Sequence, residues 1–207
     1  MDLRRLLSKI PGAGILLGAA STPTPATLPP TDLRSLLCKE EWSWHPLWNR
    51  ISFHKDGTGE IFLGVEYSRF IAAKFKWEPA DGLLDFILDP GNPAILGQFK
   101  LRLTLLKKCA LPDENRYHIN DAVLTDDAFL PKTFTITLSK GCFLSPYDAL
   151  GDENNTLACT PRYALRLSFD PSPYPPESEW VEQKGASGWK ANRVWEWTDF
   201  CGYKIQE

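Results

Sequence analysis

The chain reads as a mainly β protein, an antiparallel up-and-down β-barrel of eight to nine strands preceded by a short helix. Three observations carry that reading. Apolar and polar residues alternate with period two in one segment after another between Leu47 and Tyr203. An Asp-Gly turn joins the first two of these segments, the strongest short-range signal for a hairpin. The long helical patterns that a parallel sheet needs between its strands are missing, which argues against a wound α/β arrangement.

Taken in order, residues 1–31 read as a flexible N-terminal arm and linker. Arg4, Arg5 and Lys9 precede Ile15-Leu16-Leu17, a faint echo of a signal peptide, but Pro11, Gly12 and Gly14 interrupt the run. Asp2 counts against a mitochondrial presequence. Residues 21–31 hold four prolines, which remove backbone donors and fix φ, so an extended linker is expected there. Residues 32–207 then form a single barrel domain. Thr31 or Asp32 caps a short helix running to about Glu41, with Leu33, Leu36 and Leu37 on its inner side.

The hairpin follows, Leu47 to Phe53 and Gly59 to Tyr67, with Trp42, Trp44 and Trp48 at its mouth. A two-residue Asp56-Gly57 turn would pair Phe53 with Glu60 and place Ile51 and Ile61 on opposite faces. A three-residue Lys55-Asp56-Gly57 loop with Gly57 left-handed pairs His54 with Thr58 and brings Ile51 opposite Ile61. One residue of slip moves every side chain to the other face, so burial selects the three-residue loop. Leu47, Asn49, Ile51 and Phe53 then share a face with Leu63, Val65 and Tyr67.

A third strand turns Ile71, Ala73, Phe75 and Trp77 inward. Leu83 to Asp89 is a fourth. The fifth alternates most cleanly, with Phe99, Leu101, Leu103 and Leu105 inward against Lys100, Arg102 and Thr104. Tyr117 to Leu124 reads as a sixth strand, Phe134, Ile136 and Leu138 mark a seventh, and Tyr163, Leu165, Leu167 and Phe169 an eighth. Arg193 to Tyr203, carrying Trp195 and Trp197, closes the chain. Short helices are expected around Asp126–Leu130 and Ser145–Leu150. Asp170 to Gly188, rich in proline, is expected as a long surface loop that overhangs one mouth as a lid.

The bulk numbers exclude several classes. A net charge of −3 over 207 residues gives no footprint for nucleic acid. No stretch approaches the roughly 20 apolar residues needed to span a bilayer. Five scattered cysteines, without a C-x-x-C pair, suit reduced thiols in a cytoplasmic protein, although one or two disulfides in a secreted chain fit the count as well. No cofactor fingerprint, phosphate loop or metal spacing occurs.

Ile51-x-Phe53, followed by Asp56-Gly57-Thr58-Gly59 and approached through Trp42 and Trp44, resembles the hairpin of the calycin or lipocalin-like superfamily, in particular of fungal lipocalin-like proteins. The resemblance spans residues 38–203 in strand pattern and is motif-level over 42–67. It implies a barrel whose central cavity holds an apolar or aromatic small molecule.

On that expectation the ligand-facing residues are Phe53, Tyr67, Phe75, Trp77, Phe99, Leu101, Leu103, Tyr163, Trp195 and Trp197. Tyrosine hydroxyls and Trp ring nitrogens supply the polar contacts. The same side chains equally serve to fill a solid barrel, and a barrel of eight strands accommodates either outcome. Two other classes stay open: an isomerase- or cyclase-type enzyme using an ionisable group in the cavity, and an interaction protein with exposed aromatics. Catalytic signatures are weak. His54, Asp56 and Glu60 surround a turn that favours Asp for its own sake. His45 sits among the tryptophans of the mouth. His118 and Asp121 lie three apart, on opposite faces of a strand. Cys142 and Ser145 lack the neighbours of a nucleophile.

Overall fold

The computed structural model describes residues 32–65, 68–81, 94–111, 119–151, 160–181, 190 and 192–205. Asp32 caps α1 (Leu33–Leu37): its carboxylate accepts the Ser35 N–H at 2.7 Å, a bond that holds the carboxyl below the usual carboxylate range. Leu33, Leu36 and Leu37 are buried, as their spacing predicts. The helix ends at Leu37, short of Glu41, because its last carbonyls find side-chain partners: Leu36 O accepts from Tyr203 Oη and Leu37 O from Trp42 Nε1.

Eight antiparallel strands then follow one another around one closed, ring-like sheet. They are β1 (Trp42–His45), β2 (Asn49–Phe53), β3 (Thr58–Val65), β4 (Ser68–Pro79), β5 (Ile95–Cys109), β6 (Lys132–Phe143), β7 (Tyr163–Asp170) and β8 (Asp199–Lys204). The ring closes where Ser43 of β1 pairs with Cys201 of β8. β1 is a strand that alternation does not announce, since its four residues, Trp-Ser-Trp-His, are too few to show a period.

The β2–β3 hairpin adopts the three-residue loop. Ile51 pairs with Ile61 and Phe53 with Gly59, His54 N–H donates to Thr58 O at 2.8 Å, and Gly57 sits at φ 82°. Gly59 is required by contact: a Cβ there would lie 2.2 Å from Cζ of Phe75, whose ring crosses it from β4. Ile51, Phe53, Ile61, Leu63, Ile71, Ala73, Phe75 and Trp77 accordingly share the interior. Leu47 does not join them. It is 66 % exposed in the β1–β2 turn, because the hairpin strand begins two residues later at Asn49, whose side chain is buried and accepts Gly64 N–H.

β5, β6 and β7 keep the expected phase, with Phe99, Leu101, Leu103, Phe134, Ile136, Leu138, Leu165, Leu167 and Phe169 inside. Two other expectations change. Residues 119–123 of the expected sixth strand form α2 (Ile119–Val123), packed outside β4 and β5. There the β4–β5 ladder slips between Ala73 and Phe75, and the buried Asn120 amide supplies what the slip removes. It accepts from Ala72 N at 3.0 Å and donates to Ala72 O at 3.1 Å and Lys107 O at 3.2 Å. A helix presents Asn120 to both strands at once, which a further strand could not do. The closing strand likewise starts at Asp199 rather than Arg193. Arg193 is left-handed at φ 46° and opens a 3-10 turn, Val194–Glu196, which lifts Trp195 and Trp197 out of the sheet.

The expected helices at 126–130 and 145–150 appear as a 3-10 turn, Asp126–Phe129, and as α3 (Pro146–Gly151). The expected fourth strand, Leu83–Asp89, lies outside the described residues. No helix among the described residues is long and apolar enough to cross a membrane.

Candidate functional site

The interior is not evenly filled. At the end of the ring where β5 and β7 finish, a cavity of about 160 Å3 lies between the sheet and the chain that crosses it. Its sheet wall is Ile51, Ile61, Phe75, Leu103, Leu105 and Phe134, and Ala128, Leu130 and Trp195 border it.

The remaining wall is Pro171 to Pro176, which opens residues 171–181, a stretch of the segment expected as a surface loop. It is a strap drawn across the ring rather than a loop above it. Ser172, Pro173, Tyr174 and Pro175 are buried, and Tyr174 is only 2 % exposed. The tyrosine ring meets Trp197 and Phe200, and its hydroxyl crosses the interior to donate to Phe62 O on β3 at 2.9 Å. Burial pushes the Tyr174 phenol far above the ordinary tyrosine range, so it stays a neutral donor. The strap is tied down at both ends. Ser172 Oγ donates to Trp197 O at 2.7 Å, while Thr125 N–H donates to Glu179 O and Val181 N–H to Val123 O. Trp180 Nε1 reaches back to Pro175 O at 2.9 Å.

Among the described residues, one charged side chain lines the cavity. Lys132 opens β6 in phase with Phe134 and Ile136, so its stem points inward, and its ammonium forms an ion pair and hydrogen bond with Glu179 of the strap. Both side chains are largely shielded, 28 % and 14 % exposed. The other side-chain polar groups of the described lining, Ser172 Oγ and Tyr174 Oη, are already engaged. The site therefore offers a mainly apolar volume with one balanced charge pair at its edge.

Of the residues expected to face a ligand, Phe75, Leu103 and Trp195 come together at this cavity. Phe53 and Trp77 pack edge to face at 5.6 Å, and Trp77 Nε1 is bound to Thr58 O at 2.8 Å; both belong to solid core. Phe99, Leu101 and Tyr163 are buried away from the void. Trp197 is stacked on Trp44 with ring centroids 3.6 Å apart. Tyr67 lies outside the described residues. Lys132, Ala128 and Tyr174 are lining residues that the alternation pattern does not single out. Tyr174 does carry a signal, an aromatic residue between prolines in Ser-Pro-Tyr-Pro-Pro, where a rigid chain holds a ring in a fixed direction.

Several other polar and ionisable groups of the described residues serve local structure. Asp56 accepts Thr58 N–H at 2.9 Å and Thr58 Oγ1–H at 2.6 Å, which lowers its carboxyl pKa. His54 Nδ1 lies 3.1 Å from the same hydroxyl. His45 Nδ1 accepts the Leu47 N–H, and partial burial lowers its pKa. Ser145 Oγ bonds Asp148 twice, at 2.6 and 3.1 Å, as a cap of α3. Cys38, Cys109, Cys142 and Cys201 are free thiols; burial pushes Cys201 up to about 12, whereas Cys142 is exposed. His118 and Cys159 lie outside the described residues, and among those described no three His, Cys, Asp or Glu side chains gather as a metal would require.

Comparison with known proteins adds no relative: no family model, curated protein or solved structure matches the chain.

Proposed function

We propose that the protein is a lipocalin-like binder of a small apolar or aromatic molecule, held at the strap end of the ring rather than at its centre. The observation that carries this reading is the cavity of about 160 Å3 walled by six apolar sheet residues. A void of roughly 150 Å3 lined by Leu, Ile and Phe stays dry and takes up benzene. Drug-sized ligands need pockets of about 300 Å3 or more, so the occupant is of one-ring size. The plug of Tyr174 sets that limit, because it occupies the space a larger ligand would use.

Titration with benzene, indole and isopropylbenzene, followed by calorimetry and Trp fluorescence, tests the reading. Ligands of six to nine heavy atoms are expected to bind with about 4–5.5 kcal/mol, a Kd on the order of 0.1–1 mM. Ala128→Leu, which places three more carbons at the cavity wall, is expected to abolish the response. Absence of saturation with all three probes rules the reading out.

A further inference from the structure

We infer that the molecule held in the strap-end cavity is electrically neutral and carries one hydrogen-bond acceptor, such as a ketone or amide oxygen, seated on the Lys132 ammonium. This rests on the reading of the cavity as a binding site and names the class of ligand it selects.

Lys132 occupies an inward position of β6, in the register that Phe134 and Ile136 continue, and it pairs with Leu103 across the β5–β6 ladder. An apolar residue would close the ring there equally well, since a shielded ion pair adds little stability over a well-packed apolar pair. An ammonium has three donors. Glu179 of the strap takes one, which leaves donors at the edge of a volume whose other side-chain polar groups are occupied.

Charge then decides the ligand. Lys132 and Glu179 are neutral as a pair, and Glu179 is fixed in place because its N–H bonds Pro176 O and its carbonyl accepts Thr125 N–H. A carboxylate entering beside them would leave an uncompensated negative charge among apolar side chains, which is costly. A neutral acceptor uses a spare Lys132 donor and leaves the pair intact. A hydrocarbon leaves that donor unused.

Three probes of matched shape separate these cases: isopropylbenzene, acetophenone and benzoate. Calorimetric titration into the full chain is expected to show acetophenone binding at least tenfold tighter than benzoate. Lys132→Met combined with Glu179→Gln, which removes both charges together, is expected to weaken acetophenone about tenfold and leave isopropylbenzene within twofold, a factor in line with a hydrogen bond to a charged donor. Glu179→Gln alone leaves the lysine charge unbalanced and is expected to raise benzoate affinity at least tenfold. Equal acetophenone affinity in wild type and the double variant, with isopropylbenzene still bound, overturns this inference and spares the cavity. Benzoate as the tightest wild-type ligand overturns it too. Failure of all three probes in wild type overturns the binding site itself, and this inference with it.

Discussion

At one end of the ring, three leucines of α1 lie flat on the core and the helix carbonyls are taken up by Trp42 and Tyr203. At the other end, the chain that crosses is a strap with prolines at 171, 173, 175 and 176, and it reaches the core through two long side chains, Tyr174 and Trp180. Both closures tie backbone groups to the ring, and the cavity described above lies at the second. A helix offers a continuous apolar stripe that adapts to the wall beneath it. A proline-rich segment has fixed φ angles and rigid rings, so it spans a gap without moulding to it. Among the described residues the helix end is closed by buried leucines and the strap end keeps a cavity.

The sharpest way to break this comparison is to remove the strap's anchor. Tyr174→Ala empties the centre of the ring and strands Phe62 O, and is expected to cost about 3–5 kcal/mol in chemical denaturation. A cost below about 1 kcal/mol would mean that the strap rides on the surface. Enlarging a side chain separates the two ends directly. Leu36→Phe forces extra volume under α1 and is expected to cost about 1–3 kcal/mol. Leu103→Phe points its added carbons into the cavity and is expected to stay within about 1 kcal/mol of wild type. Equal costs would show that both ends are packed alike.

A pH series sharpens the contrast further. Burial raises the phenols of Tyr174 and Tyr203 above the value that each has in the unfolded chain. Above pH 10 the unfolded chain therefore loses protons that the folded chain keeps, so stability falls as pH rises and is fully present below that point. For the fully buried Tyr174 the slope is expected near 1.4 kcal/mol per pH unit. Tyr174→Phe should remove most of that slope and Tyr203→Phe a smaller share, since Tyr203 is partly exposed. A small effect also belongs to the helix cap: Asp32→Ala is expected to cost about 1 kcal/mol at neutral pH.

What the sequence reveals follows the same division. The hairpin loop, the inward phases of β4 to β7 and the leucines of α1 are legible because burial on one face imposes a period. β1 escapes because four residues, three of them aromatic or imidazole, carry no period at all. α2 reads as a strand because nothing local shows that Asn120 will bridge two backbones from outside the sheet; that role is created by the slip between β4 and β5. The site is half visible for the same reason. Phe75 and Leu103 announce themselves by alternation, whereas Lys132 looks like the polar start of a strand and Glu179 like a loop carboxylate until the strap brings them together.

The closure between β1 and β8 has a consequence for how the molecule comes apart. Ser43 and Cys201 are the one register pair across that junction among the described residues, whereas β3 and β4 share eight. The first strand is thus a zipper tab on an otherwise continuous belt. Its release breaks one register pair to β8 and three to β2 and lifts Trp42 and Trp44 from the core, and the amides of Trp42 to His45 are expected to exchange with deuterium before those of the longer strands. Once it lifts, the belt has two raw selvedges, β2 and β8, each able to recruit the same strand from a second copy of the chain.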